Sequence, residues 1–222
     1  MDGLEAYACA PPKPEYWFDF GYFVGEVIDR YHPYAVEIWN EPDVDPTKMI
    51  ESHTDYYGGW GGMSVEYAEF VSDVYRHVKP YYSYVTIMAG ALMLIGEDQW
   101  QFAADLIKYG KFDVLSFHNY TQGREYDTAF AKADRLRTMT DATLWLSETG
   151  YQWDDDWGEM PDTFEWEQAF YLKHLVDGAL AHDIKSTTWY DHNWRHCNLV
   201  EDGRKKLAWY AFEKLVKGES DV

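Results

Sequence analysis

Apolar and polar positions change their spacing regularly along the chain. From residue 15 the apolar positions follow helical spacing until Pro33 ends the pattern, which predicts a first helix. Residues 35–39 are rich in β-branched and aromatic side chains, and an Asn-Glu-Pro sequence at residues 40–42 closes the run. This pattern predicts a strand that ends in a loop.

The alternation of helix and strand continues through the rest of the chain. Further helices are predicted at residues 64–79, 99–109, 128–139, 164–181 and 205–217. Further strands are predicted at residues 84–88, 112–117, 144–147 and 186–190. Strands that alternate with helices of this length indicate parallel βαβ units, in a doubly wound open sheet or a barrel. No Gly-rich dinucleotide-binding turn follows the first strand, which favours the barrel.

The number of strands is too small for a closed barrel. Five strands are predicted, and residues 6–9 fit the end of a sixth, whereas a (β/α)8 barrel has eight. We therefore predict an α/β fold of the (β/α)8 TIM-barrel type that is incomplete, with five to six βα units and without the first two or three. Since no low-complexity linker interrupts the pattern, residues 1–222 are predicted to form a single, partial catalytic domain.

Charge and composition narrow the class of ligand. The chain has 39 acidic and 19 basic residues, a formal charge of −20, which disfavours binding to nucleic acids and to anionic membranes. Aromatic residues make up 18% of the chain, and their flat rings suit sugars, although filling a core is the alternative use. The two cysteines, Cys9 and Cys197, cannot form a disulfide framework, and whether they pair is left open.

The given sequence contains no predicted export signal or membrane span. Its first ten residues lack a basic start followed by an apolar stretch, and no apolar run approaches the length of a span. Secretion of a longer form is left open, so no localisation is assigned.

Two glutamates follow predicted strands, at the position where such barrels carry their catalytic groups. These residues are Glu41 and Glu148. Cleavage of a glycosidic bond needs one carboxyl group to protonate the leaving oxygen and another to attack or to activate water. A single glutamate at a strand end is more often a solvated loop residue, so the sequence around each one decides its interpretation.

That sequence resembles two motifs of the clan-A retaining glycoside hydrolases. Residues 37–42 (EIWNEP) resemble the acid/base motif at the end of the fourth barrel strand, and residues 144–150 (LWLSETG) resemble the seventh strand, which ends in the nucleophile. The resemblance implies that Glu41 is the acid/base, that Glu148 is the nucleophile, and that Asn40 binds the 2-hydroxyl group of the sugar. It implies a separation of about 5–5.5 Å between the two carboxyl groups.

The resemblance also implies roles for residues on the neighbouring strands. His118 and Tyr120 match positions that hold the nucleophile and bind the sugar, and Tyr120 is expected to donate a hydrogen bond to Glu148. Trp189 matches a platform under the sugar, with packing in the core as the alternative. For His118 the alternative is a purely structural histidine.

Two loops are predicted to form subsite walls. One spans residues 56–62 and contributes Trp60, and the other spans residues 153–157 and contributes Trp153. Three consecutive aspartates at residues 154–156 lack the alternating ligand spacing of a calcium loop, so we interpret them as solvated. No metal and no cofactor are predicted.

The resemblance, which extends from about residue 6 to the last helix, implies a retaining O-glycoside hydrolase that acts on an oligosaccharide or polysaccharide by double displacement. The families of β-xylosidases and α-iduronidases and the cellulase- and mannanase-rich family are the nearest in character, while the sugar, the linkage and exo or endo action are left open. A carbohydrate-binding or catalytically impaired truncated barrel is one alternative. A homo-oligomer that covers the open barrel edge is another.

Overall fold

The computed structural model describes residues 10–45, 59–122, 125–153, 159–190 and 196–218. A 3-10 helix at Pro14–Tyr16 leads into the first α-helix. The α-helices are α1 (Trp17–Tyr31), α2 (Ser64–Val78), α3 (Glu97–Tyr109), α4 (Thr128–Arg137), α5 (Phe164–Ala179) and α6 (Leu207–Val216). The strands are β1 (Ala35–Ile38), β2 (Thr86–Leu92), β3 (Val114–Thr121), β4 (Thr143–Tyr151), β5 (Ile184–Trp189), β6 (Val200–Glu201) and β7 (Arg204–Lys205).

Every predicted helix and all five strands predicted from residue 35 onward are present. Strands β1 to β5 form one sheet in chain order, with parallel pairing between β1 and β2, β2 and β3, and β4 and β5. Helices alternate with these strands, so the fold is a partial α/β barrel, as predicted. The sixth strand expected at residues 6–9 lies outside the described residues.

Three strands extend further towards their C-terminal ends than the apolar runs indicated. Strand β2 continues to residue 92, β3 to residue 121 and β4 to residue 151. The extensions of β3 and β4 contain polar residues, which broke the apolar pattern at residues 117 and 147. Backbone pairing in a sheet does not require an apolar side chain, so a strand continues through positions that carry chemistry.

A small hairpin near the C-terminus was not predicted. Strands β6 and β7 pair in antiparallel fashion, with Val200 opposite Lys205. The connecting residues, Asp202 and Gly203, have φ values of 49° and 78°, the left-handed conformation of a two-residue hairpin turn. The Asp-Gly pair was therefore a usable signal in the sequence.

The chain divides into two compact units, each with its own core. The first contains residues 1–117 and 139–143, and the second contains residues 118–138 and 144–222. In the first, α1 packs on α2 through rings such as Phe20 and Phe70, whose centroids lie 5.0 Å apart. In the second, α5 directs Tyr171, Leu172 and Leu175 into the core. Among the described helices, none has both the length and the apolar character of a membrane span.

Candidate active site

Strand β4 positions Glu148 in the second unit. Glu148 lies three residues before the end of this strand, and its side chain is 25% exposed. The Tyr120 hydroxyl on β3 donates a hydrogen bond to Glu148 Oε1, as predicted. His118 Nε2 lies 3.9 Å from the other oxygen, Oε2. Because side chains alternate along a strand, residues 118 and 120 face the same side, and both reach Glu148.

The hydrogen bond from Tyr120 has a defined direction. Burial and the interaction with the Glu148 carboxylate raise the pKa of Tyr120 above its ordinary value, so the phenol keeps its proton and remains a donor. A hydrogen bond to a carboxylate is charge-assisted and stronger than one between neutral groups. Tyr120 is therefore a fixed hydrogen-bond donor to the Glu148 carboxylate.

The ring of Tyr120 occupies a tight space. A Cβ atom on Gly150 would lie 3.2 Å from Tyr120 Cε1 and 3.1 Å from Cys197 Sγ. On another side, the ring of Tyr190 meets Tyr120 edge-on, with centroids 5.9 Å apart. Glycine at residue 150 thus leaves the room that Tyr120 needs beside Glu148.

Trp189 faces the helices of the second unit. Its ring centroid lies 6.0 Å from that of Tyr171 on α5, and its indole N–H donates to the carbonyl oxygen of Cys197 at 3.0 Å. It also lines an apolar pocket of about 170 Å³ together with residues of α5 and α6. This placement favours the core-packing alternative for Trp189. The aromatic residue of this segment whose ring contacts Tyr120 is its neighbour Tyr190, which was not among the predicted site residues. The role of Trp189 as a sugar platform stays a prediction.

A loop with unusual backbone angles positions Glu41 in the first unit. Trp39 and Glu41, which follow β1, have φ values of 75° and 48°. A left-handed conformation at a non-glycine residue costs of the order of 1–3 kcal/mol and persists only where surrounding contacts hold it. Two hydrogen bonds hold this loop. The Tyr67 hydroxyl donates to the carbonyl oxygen of Ile38 at 2.6 Å, and the N–H of Val44 donates to the carbonyl oxygen of Glu41 at 3.2 Å.

Asp43 adds a longer-range contact to the same loop. Its carboxylate accepts hydrogen bonds from the N–H groups of Met93 and Leu94, both at 3.0 Å, and the residue is only 4% exposed. Burial raises the pKa of Asp43 to about 6, with a smaller contribution from Glu41, while the two N–H groups oppose the increase. Asp43 thus fixes the loop that carries Glu41 to the segment after β2. Sequence reasoning did not identify Asp43.

The remaining predicted site residues lie in different environments. Asn40 is exposed, and Trp153 is half-buried just after β4. Trp60 is 1% exposed and stacks on Phe70, with centroids 5.1 Å apart. Trp60 was expected to be an exposed ring on a subsite wall, but it is buried because it fills the core beneath α2. Residues 56–58 and 154–157 of the two predicted walls lie outside the described residues.

His118 and Glu148 are also potential metal ligands. Their ligand atoms, His118 Nε2 and Glu148 Oε2, lie 3.9 Å apart. The separation of the Glu41 and Glu148 carboxyl groups stays a prediction.

Comparisons with known proteins identify the fold. No family model matches the chain, and no curated protein matches it. Among solved structures, it resembles a GH39 enzyme from Xanthomonas axonopodis pv. citri, with a TM-score of 0.67 and 14% identity over 96% of this chain and 47% of that one. It also resembles a GH39 β-xylosidase from Caulobacter crescentus, with a TM-score of 0.62 and 17% identity over 94% of this chain and 48% of that one.

A third similar structure is a GH128 (subgroup VII) oligosaccharide-binding protein from Cryptococcus neoformans. Its TM-score is 0.60, with 12% identity over 84% of this chain and 69% of that one. At such identities the likeness shows the fold alone, which is a partial α/β barrel. The chain spans about half the length of the two GH39 proteins.

Proposed function

We propose that this protein is a retaining O-glycoside hydrolase, with Glu148 as nucleophile and Glu41 as acid/base. The observation that carries the proposal is the hydrogen bond from Tyr120 to the carboxylate of Glu148 at a strand end, with His118 beside it. A partly buried carboxylate that accepts a hydrogen bond from a phenol suits attack on an anomeric carbon. The EIWNEP motif around Glu41 supports the second role.

In the proposed reaction, Glu148 attacks the anomeric carbon and the bond to the leaving oxygen breaks. Glu41 gives its proton to that oxygen, so the departing group leaves as an alcohol. Glu41 then removes a proton from water, and the resulting attack on the anomeric carbon releases Glu148 and the sugar with retained configuration. The reaction needs no redox partner. The substrate class is an oligosaccharide or polysaccharide, and a formal charge of −20 favours neutral sugars.

Trapping the nucleophile tests the role of Glu148. A 2-fluoro aryl β-xyloside is the first probe, because one similar structure is a β-xylosidase. We expect a stable adduct on Glu148, seen by peptide mass spectrometry, and no adduct in Glu148→Ala. Azide should restore turnover of an activated aryl xyloside by Glu148→Ala, with inverted product. The matched control is Glu159→Ala, an exposed residue of the same unit, which should behave as the parent protein. An adduct on a residue other than Glu148 would contradict the role of Glu148 as nucleophile.

Leaving-group dependence tests the role of Glu41. Glu41→Ala should slow cleavage of a poor leaving group by about 10²–10⁴-fold, since that group departs only with a proton. Formation of the glycosyl-enzyme from a dinitrophenyl glycoside should change little. Glu66→Ala, which alters an exposed glutamate of the same unit, is the control. Equal losses on both substrates would assign Glu41 another role. A crystal structure should show the two carboxyl groups about 5–5.5 Å apart.

A second candidate function is carbohydrate binding without turnover. It is supported by the similarity to an oligosaccharide-binding protein and by the chain's span of about half the GH39 proteins. Calorimetric binding of xylo-oligosaccharides by a protein that forms no adduct with the fluorosugar would favour this candidate. A sugar-induced adduct excludes it.

Two further proposals concern the organisation of the chain into a domain and its assembly into a dimer. We propose that residues 1–222 act as one partial barrel domain, and that a second copy covers its open edge. Strand β5 stands last in the sheet order, so one side of its backbone lacks a partner strand among the described residues. Light scattering at several concentrations should detect a dimer, and a mass of 26.1 kDa throughout would rule this assembly out.

A further inference from the structure

A buried hydroxyl lies behind Glu148, on the side of the sheet that faces the helices. Tyr171 of α5 is fully buried, and its hydroxyl oxygen lies 2.9 Å from Thr149 Oγ1 and 3.2 Å from Asn119 Nδ2. Asn119 belongs to β3 and Thr149 to β4. One hydroxyl from a helix therefore contacts side chains of two strands.

The available protons fix the direction of each hydrogen bond. Thr149 Oγ1 donates its single proton to the carbonyl oxygen of Asn119 at 2.6 Å. Thr149 Oγ1 must therefore accept a hydrogen bond from the Tyr171 hydroxyl. The Tyr171 oxygen in turn accepts a hydrogen bond from Asn119 Nδ2. The second proton of Asn119 Nδ2 reaches Thr128 Oγ1 at 3.0 Å. Each donor in this group has a partner, so the group has one arrangement and resists sliding of one strand along the other.

The two strand residues of this group are direct neighbours in sequence of Tyr120 and Glu148. Asn119 precedes Tyr120, and Thr149 follows Glu148. Since consecutive side chains of a strand face opposite sides, fixing Asn119 and Thr149 on the helix side fixes Tyr120 and Glu148 on the other. A shift by one residue would exchange the two faces and separate Tyr120 from Glu148.

We infer that the Tyr171 hydroxyl is a positioning group that holds Tyr120 in hydrogen-bonding register with Glu148. The inference rests on the proposed role of Glu148 as nucleophile. Tyr171 does not touch the reacting atoms. It acts through Asn119 and Thr149, and its loss removes two hydrogen bonds without changing the packing of the ring.

A purely structural role is the competing explanation, and Tyr151 provides the matched control. Tyr151 lies on β4, is 1% exposed, and donates its hydroxyl proton to Glu167 Oε2 of the same helix α5 at 2.6 Å. Removing this hydroxyl also costs a buried hydrogen bond between β4 and α5. The Tyr151→Phe substitution leaves the hydrogen bonds of Asn119 and Thr149 intact. It therefore measures the general effect of losing a buried hydrogen bond between β4 and α5.

The experiment measures the rate at which the fluorosugar labels Glu148 in Tyr171→Phe, Tyr151→Phe, Tyr120→Phe and the Tyr120→Phe/Tyr171→Phe double variant. We expect Tyr171→Phe to slow labelling about tenfold, since small displacements of reacting groups are costly, and Tyr151→Phe to leave it unchanged. The double variant should be no slower than Tyr120→Phe, because Tyr171 acts through Tyr120. Parent-like labelling of Tyr171→Phe, or multiplied effects in the double variant, overturns the inference.

A second readout does not depend on activity. In protein with ¹³C-labelled tyrosine, the Tyr120 ring signal, assigned by its absence from Tyr120→Phe, should titrate at higher pH than ordinary tyrosines, because burial and the hydrogen bond to Glu148 raise the pKa of Tyr120. In Tyr171→Phe this signal should titrate at lower pH, while Tyr151→Phe matches the parent. An unchanged titration in Tyr171→Phe overturns the positioning role. If the parent protein forms no adduct, the proposed function fails, and this titration alone decides the inference.

Discussion

The two glutamates of the proposed site are held in different ways. Glu148 belongs to strand β4, and its carboxylate contacts the side chains of Tyr120 and His118. Glu41 lies beyond the end of β1, in a segment with left-handed backbone angles at residues 39 and 41. The carboxylate of Asp43 and the hydroxyl of Tyr67 hold that segment through backbone groups.

This difference matches the two proposed roles. A nucleophile must point at one carbon atom, and a strand with a fixed hydrogen-bond donor beside it provides that direction. An acid/base exchanges protons with a leaving group and later with water, so it needs a defined position beside the substrate. We expect substitutions around Glu148 to act mainly on chemistry, and substitutions around Glu41 to act mainly on the stability of its loop.

The largest expected effect comes from the donor to Glu148. Tyr120→Phe removes the hydroxyl that stabilises the negative charge and should lower kcat by about 10²–10³-fold, the usual loss for one preorganised donor. The loss should be similar for good and poor leaving groups, unlike that of Glu41→Ala. Steady-state kinetics with a series of aryl glycosides measures it. A loss confined to poor leaving groups would assign Tyr120 to proton donation and remove the contrast between the two regions.

The next largest effect concerns the pH dependence of stability through Asp43. Burial raises the pKa of Asp43 from 3.8 to about 6, so the folded protein binds this proton more tightly than the unfolded chain does. The stabilisation is complete below about pH 4 and is lost as the pH rises through about 6. This difference in the pKa of Asp43 between the folded and unfolded protein corresponds to about 3 kcal/mol of unfolding free energy.

Asp43→Asn removes this titration but keeps the size of the side chain. Relative to the variant, the parent protein should therefore lose about 3 kcal/mol of unfolding free energy between about pH 4 and pH 7. Urea unfolding at several pH values measures the difference, and Asp45→Asn serves as a neighbouring control. Parallel pH curves for the parent and Asp43→Asn would show that the Asp43 carboxyl group does not titrate in this range.

A smaller effect is expected from crowding the Tyr120 ring. The Cβ of Gly150→Ala would approach Tyr120 and Cys197 to 3.2 and 3.1 Å, so one of them must move by a few tenths of an ångström. We expect kcat to fall about tenfold with little change in KM, since the donor is displaced from Glu148. Combining Gly150→Ala with Cys197→Ala creates space and should restore part of the activity. Absence of any rescue would mean that the methyl group acts elsewhere.

The smallest expected effect on activity is that of Tyr190→Leu, which separates Tyr190 from its neighbour Trp189. Tyr190 contacts Tyr120, so Tyr190→Leu should raise KM severalfold through loss of a ring at the sugar, with stability close to that of the parent. Trp189 packs against Tyr171, so Trp189→Leu should instead lower the unfolding free energy by about 2–4 kcal/mol. Kinetics and urea unfolding of both variants distinguish the two. The opposite result would return the platform role to Trp189.

The directions of the neighbouring side chains of Trp189 and Tyr190 show what the sequence could not predict about contacts with Tyr120. Along β4 and β5, Leu146 pairs with Thr187 and Thr149 pairs with Trp189, so three residues of one strand span two of the other. Such an irregularity changes which side chain faces the site. The residue types at positions 189 and 190 do not reveal this irregular pairing, so the sequence alone favoured the tryptophan.

The sequence by itself determined the alternation of helices and strands and the placement of Glu41 after β1, because periodicity and strand-end motifs are local. Glu148 was predicted to follow its strand, but it lies within β4, which continues to residue 151. The sequence also predicted the Tyr120–Glu148 hydrogen bond through the family resemblance. Only the tertiary structure decided that Trp60 lies in the core, that Asp43 binds residues 93 and 94, and that Tyr171 joins β3 to β4. These contacts join residues distant in sequence, and their partners are chosen by the packing of whole elements.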